Sequence, residues 1–265
     1  SIGKDLNFSF NTNFSYNKNK VVSIGNDFNF ELDNIAGDQN VNRTISGYSI
    51  GYFYGYVQTG IYQTSNEIKK CPVVGFAQKP QPGDISYKDV DGNDTINQND
   101  RTYLGTPFPK YNFGISISVN YKNFDLTIDG QGVAGNKIFV QRRTYNFTTL
   151  NYESNRLNAW YKAGSSHSEP ILDPSRSSNY LFSDYWLESG SYFRIRTLQL
   201  GYTFKSNQIK FIKMLRLYVS AQNIKTFTKA SGYSPEVPVN DPISAGADNG
   251  TYPLPAIYSI GINLT

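Results

Sequence analysis

From residue 6 to residue 16 the chain alternates strictly. Leu6, Phe8, Phe10, Phe14 and Tyr16 fall on one side, and Asn7, Ser9, Asn11, Asn13 and Ser15 on the other. A period of two is the mark of a β-strand with unlike faces. The pattern returns at 111–121, where Tyr111, Phe113, Ile115, Ile117, Val119 and Tyr121 oppose Asn112, Gly114, Ser116, Ser118 and Asn120. After a tight turn at Lys122-Asn123 it resumes, with Phe124, Leu126 and Ile128 against Asp125, Thr127, Asp129 and Gln131. Leu198, Leu200, Tyr202 and Phe204 form another apolar row, as do Leu215, Leu217, Val219 and Ala221. The last row is Tyr258, Ile260, Ile262 and Leu264. The expected class is all-β.

A water-soluble sheet shows the same alternation. Three details favour a membrane. The strands run to about ten residues, the length that crosses a bilayer, against about five to six in ordinary sheets. Tyr and Phe sit at the ends of the apolar runs, where interfacial girdles lie. The polar faces are Ser, Thr, Asn, Gln and Gly, which suits a wet lumen. About seven crossings are expected: 6–16, 21–33, 111–121, 124–133, 192–204, 214–224 and 256–264. Long excursions are expected at about 34–110, 135–190 and 226–254, alternating with short links. Outer-membrane barrels alternate in this way, with short periplasmic turns and long extracellular loops. With that orientation the first and last strands both run downward. Seven strands would leave open edges in lipid, where unpaired backbone groups are costly. The chain is therefore expected to be the C-terminal part of a larger antiparallel transmembrane barrel.

Composition narrows the chemistry. Aromatic residues make up 15% of the 265 positions, too many for a disordered chain. A single Cys, Cys71, excludes an internal disulfide framework, and a single His, His167, excludes a zinc site of several His or Cys ligands. The net charge of +4 is modest and spread out, so no nucleic-acid partner is expected. No apolar run approaches the length of a transmembrane helix.

The acidic segment DVDGNDTINQND is the sharpest local motif. Asp89, Asp91, Asn93, Thr95, Asn97 and Asp100 take the ligand positions of an EF-hand-like loop, with Ile96 where such loops bury an apolar residue. Asp94 stands where that loop usually has Gly, and the neighbouring Gly92 offers another turn. A structural Ca2+ ion is expected there. No catalytic group is expected. His167 lies in a polar loop, and Asp125 and Asp129 share a strand face at roughly 13 Å, too far apart for a glycosidase pair. Lumen-facing polar groups and loop aromatics are the candidate substrate contacts: Asp125, Asp129, Gln131, Trp160, Tyr161, Tyr185 and Trp186. Arg194 and Arg196 are expected near the extracellular rim.

Several long motifs resemble, in one order, the SusC-type (SusC/RagA) TonB-dependent outer-membrane transporters. NFSYNKNKVVSIG resembles that family's strand and turn before an extracellular excursion. VNRTISGYSIGYFYGYVQTGIYQ resembles its Gly- and aromatic-rich segment. The most specific block is PGDISYKDVDGNDTINQNDRTYLGTPFPKYNFGISISVNYKNFDLTIDGQGVAGN. LESGSYFRIRTLQLGYTF, LRLYVSAQNIKTFTKASGYSPEV and YPLPAIYSIGINLT follow. The family usually ends on Phe, whereas this chain ends on Thr265. The resemblance implies a bacterial outer-membrane location and a barrel of about 22 strands around a plug, of which these would be the last. It implies import of oligosaccharides or peptides, energised through TonB by an N-terminal part outside this sequence, with a SusD-like lipoprotein as lid. The alternative from another class is a secreted all-β carbohydrate-binding module.

Overall fold

The computed structural model describes residues 5–25, 30–31, 41–76, 78–143, 152–205, 213–239 and 241–265. Its largest element is a six-stranded sheet. The strands are β1 (Leu6–Tyr16), β2 (Tyr111–Tyr121), β3 (Phe124–Ala134), β4 (Tyr192–Lys205), β5 (Met214–Thr228) and β6 (Ile257–Leu264). They lie side by side in chain order, each antiparallel to the next. The β1–β2 register is unbroken from Leu6↔Tyr121 to Tyr16↔Tyr111.

Directly opposed residues of an antiparallel pair share a face, so the register joins the alternating rows into two continuous surfaces. One carries Phe10, Ile117, Ile128, Leu198, Ala221 and Tyr258; the other carries Asn11, Ser116, Asp129, Thr197 and Gln222. The apolar surface is bounded by aromatic residues at both ends. At one end Phe113, Phe193 and Phe227 stack in a row, with centroids 6.1 and 6.4 Å apart. Phe113 and Phe193 cover Gly132 and Gly130, whose missing side chains leave room for the rings. At the other end Phe124, Tyr202 and Phe204 meet edge to face at 4.7 Å.

No second layer covers the apolar surface among the described residues. Phe14 is 67% exposed, Ile260 85% and Val219 51%. A sandwich would bury such a face. The hydrophobic clusters lie elsewhere. Val41, Phe53, Leu104, Phe139, Phe182 and Trp186 form one, and Tyr56, Ile61, Ile85, Tyr87 and Ile96 form the other. Both belong to the excursions, and neither draws a residue from the six strands.

The turn at Lys122-Asn123 links β2 to β3, with Lys122 at φ 54. The link from β4 to β5 is short and lies mostly outside the described residues. The segments 17–110, 135–191 and 229–256 all leave from the opposite end of the sheet, as an antiparallel meander requires.

The crossing expected over 21–33 is not part of this sheet. Residues 17–25 form no strand, and 26–29 and 32–33 lie outside the described residues. Val21 instead exchanges backbone hydrogen bonds with Gly47 and Tyr48, both at 2.8 Å. Phe30–Glu31 pairs with Asn42–Thr44 in a small four-stranded sheet. The length of a segment between loops does not say which sheet it joins. The first excursion therefore begins at 17 rather than 34. The sheet has six strands, with β1 running toward the long-loop end and β6 away from it, so the expectation that both run the same way is corrected. β1 and β6 remain its two edges among the described residues.

The three excursions are tied together by buried polar contacts. Asp84, 1% exposed, accepts hydrogen bonds from Arg176 Nε at 3.0 Å and Asn179 Nδ2 at 3.1 Å, and pairs with Arg176 Nη2 as well. Asn179 Oδ1 accepts from the backbone N–H of Ile85 at 2.8 Å. Arg142 pairs with Glu153 at 2.8 Å and with the buried Asp248 of the third excursion. Arg143 pairs with Glu188 at 2.7 Å, which keeps the guanidinium protonated against the opposing effect of burial.

Candidate functional site

The polar face of the sheet carries most of its charge near two levels. Toward the short-turn end, Asp125 of β3 and Arg216 of β5 reach each other across β4. Arg216 Nε donates to Asp125 Oδ1 at 3.0 Å and Nη2 to Oδ2 at 2.5 Å. Between them lies Gly201, where an added Cβ would stand 2.5 Å from one carboxylate oxygen and 2.7 Å from the guanidinium. The guanidinium also lies 4.9 Å from the ring centroid of Tyr218.

Toward the long-loop end, Asp129 pairs with Thr197 and Gly130 with Ile195, which leaves Arg196 as the extra residue of a bulge against β3. Bulges re-aim a side chain, and Arg196 Nη1 donates to Gln131 Oε1 at 3.0 Å. Arg194, 4% exposed, donates to Glu236 at 2.7 Å and to Thr226 Oγ1 at 2.8 Å. Both arginines lie toward the end of β4 from which the excursions depart. Asp129, Gln131, Arg196, Asn13 and Asn112 line one open concavity of about 720 Å³. Its donors and acceptors match hydroxyls and amides rather than apolar groups.

The sequence candidates separate into three groups. Asp129 and Gln131 share that concavity. Asp125 is engaged by Arg216. The loop aromatics lie in the second excursion and do not line the concavity. Trp186 is 1% exposed, and its Nε1 donates to the Leu181 carbonyl at 3.2 Å. The Tyr185 hydroxyl sits between Glu169 at 2.7 Å and Arg156 at 2.8 Å. Burial, offset in part by Arg156, pushes this phenol well above its ordinary range. Trp160 donates to Gln63 Oε1 at 3.2 Å and packs on the second cluster. Tyr161 is 72% exposed and the freest of the set to meet a ligand. His167 is exposed. Sequence reasoning did not find Arg216 or Glu236. Opposite charges on matching faces of β3 and β5, with Gly between, were the available signal for the first. Glu236 lies in an irregular loop and left none.

In the acidic loop, carboxylate oxygens of Asp89, Asp91 and Asp100 lie within 4.8 Å of one another. Gly92 at φ 75 and Asp94 at φ 57 share the sharp turn, a conformation that Asp tolerates better than most residues. Asp89 accepts the N–H groups of Gly92 and Asp94, both at 2.7 Å. Desolvation pushes its carboxyl up, but these bonds outweigh it and hold the group below its ordinary value. Asp100 is fully buried and accepts the N–H groups of Val90 and Asn97 at 2.7 Å. Asn93 Oδ1 accepts from the Thr95 N–H at 2.8 Å, and the Thr95 carbonyl accepts from Asn97 Nδ2 at 3.1 Å. Ile96 is 0% exposed in the second cluster, as its loop position requires. Each carboxylate has about four acceptor sites, so these bonds leave capacity for a cation.

No family model matches the chain. It is 29% identical to TonB-dependent receptor P3 of Formosa agariphila over 98% of its own length and 27% of that protein. It is 24% identical to TonB-dependent receptor SusC of Bacteroides thetaiotaomicron, over 99% of this chain and 25% of SusC. Among solved structures, the RagAB peptide transporter matches with a TM-score of 0.74 at 22% identity, over 100% of this chain and 28% of that one. The open-open state of the RagAB peptide importer matches at 0.71 and 23%. These likenesses define a class by its fold: an all-β segment of a large antiparallel barrel. Along its whole length the chain is similar to SusC-type TonB-dependent receptors, and it spans about a quarter of the length of the curated relatives it matches.

Proposed function

We propose that this chain is the C-terminal portion of a TonB-dependent importer in a bacterial outer membrane. The observation that carries this reading is the exposed apolar face of the six-stranded sheet, bordered at both ends by aromatic rows and covered by no second layer. Lipid is the solvent that such a surface fits. The polar face then lines the lumen, and the excursions 17–110, 135–191 and 229–256 stand outside the cell. Sheet edges at β1 and β6 require neighbouring strands in lipid, which accords with relatives about four times as long.

The excursions, held as one body by Asp84–Arg176 and Arg142–Asp248, supply a docking surface for a SusD-like lipoprotein. The cargo is an oligosaccharide or a peptide. Asp129 and Gln131 in the concavity and Tyr161 on the second excursion are its contacts in this segment. Energy arrives through TonB, acting on a part of the protein outside this sequence. The acidic loop holds a structural Ca2+ ion, with Asp89, Asp91, Asn93, Thr95, Asn97 and Asp100 as ligands. The secreted carbohydrate-binding module is disfavoured because its sheet would need a covering layer. Fractionation of the native cells tests the proposal. Recovery with outer-membrane vesicles, and co-purification of a surface lipoprotein, is the expected result. A protein that is monodisperse in detergent-free buffer contradicts it.

A further inference from the structure

Just beyond Tyr16 and Tyr111, at the long-loop end of β1 and β2, Lys18, Lys20 and Lys110 line one small concavity with Tyr48, Tyr103 and Ser49. Its volume is about 280 Å³, and no carboxylate contributes to its wall. Among the described residues none of the three ammonium groups is ion-paired. Three like charges on one wall with no counter-charge favour an anion as the occupant. A further observation separates it from solvated surface lysines. Tyr48 and Tyr103 form an aromatic shelf with Tyr52, at centroid distances of 5.9, 5.0 and 5.3 Å, and remain 45% and 40% exposed.

We infer that this concavity binds an anionic sugar: a sugar bearing a phosphate, sulfate or carboxylate group. The ammonium groups take the anion through charge-assisted hydrogen bonds. The exposed tyrosine faces take the apolar C–H side of the ring. Two sources share this chemistry. One is a phosphorylated glycolipid headgroup, because the site adjoins the aromatic row that borders the apolar surface. The other is an acidic oligosaccharide arriving from outside. The site is separate from the concavity at Asp129, and the inference stands whether the imported cargo is glycan or peptide.

The test uses the intact receptor in neutral detergent and four probes: lipid A diphosphate, dephosphorylated lipid A, trigalacturonate and its methyl ester. At least one anionic probe is expected to bind about tenfold or more tightly than its neutral counterpart, since each lysine near a surface contributes roughly fivefold. In the variant Lys18→Gln/Lys20→Gln/Lys110→Gln, three exposed positions, that preference disappears, and in the wild type it falls with added salt. Preference for lipid A diphosphate alone assigns the headgroup; preference for trigalacturonate alone assigns the acidic glycan; both together support the shared chemistry. No preference for either anionic probe, or a preference retained in the triple variant, overturns the inference. Membrane fractionation is unaffected by that failure, so the two readings fall separately.

Discussion

Asp125 and Arg216 are joined by two hydrogen bonds that pass over Gly201, linking β3 to β5 across the strand between them. With side chains 25% and 18% exposed, the pair is sheltered enough to contribute to stability. In Asp125→Asn/Arg216→Gln double-mutant cycles we expect a coupling of about 1 kcal/mol or more. Gly201→Val should abolish that coupling, because its side chain occupies the space the pair uses. Urea unfolding in vesicles measures both; additive single effects would contradict the pairing.

Asp84 is a second single point of weakness, this time in the excursions. Replacing it with Ala leaves Arg176 buried without its partner, at a cost of about 3–5 kcal/mol. The loss should appear as rapid proteolysis of the excursions while the strands stay protected. Uniform loss of the whole protein, or no change in cleavage, would count against the contact.

For the acidic loop, Ca2+ should slow cleavage near residues 89–100, and a chelator should restore it. Asp89→Asn with Asp91→Asn should remove the difference. The pH dependence follows from the lowered Asp89 carboxyl. A depressed carboxyl stabilises the fold above its ordinary value of 3.8, and the contribution is lost as pH falls through the lower, folded-state value. Loop protection is therefore expected to be intact at neutral pH and to fade only below about 4. Cleavage that ignores both calcium and the double substitution would sink the metal assignment.

Position within the sheet also decides the cost of a new charge. Ile117, opposite Phe10 and Ile128, lies midway along β2 on the apolar face. Ile117→Arg should cost about 2–4 kcal/mol in a bilayer. Ser118→Arg, one residue on and facing the lumen, should cost far less. Equal costs in vesicle refolding would mean that the faces are misassigned.

The large sheet was legible because its residues obey one rule over eleven positions. Phe113, Ile115, Ile117 and Val119 alternate with Asn112, Gly114, Ser116 and Ser118, and no competing period intrudes. The crossing expected at 21–33 had no such row of alternating residues behind it, and it is not part of the sheet. What set the outcome was a long-range contact, Val21 with Gly47 and Tyr48, which periodicity does not encode. The site was legible in type more than in role. Trp160, Tyr185 and Trp186 read as ring faces for a ligand, yet their polar atoms are taken up by Gln63, Glu169 and the Leu181 carbonyl. Gln63 lies 97 residues from Trp160, and even the Leu181 carbonyl, five residues before Trp186, is a backbone group that composition around the aromatics does not single out. In the acidic loop, oxygens of Asp89, Asp91 and Asp100 lie within 4.8 Å of one another, a proximity that follows from closeness in the chain.

The most direct measurement is the accessibility of spin labels at Ile115 and Ser116 of the intact protein in bilayers. These neighbours point to opposite faces of β2. Label at 115 should collide with lipid-soluble oxygen and escape an aqueous relaxing agent, and label at 116 should do the reverse. Aqueous access at 115 together with oxygen access at 116 would contradict the assignment of the apolar face to lipid, and with it the account of this chain as part of a membrane barrel.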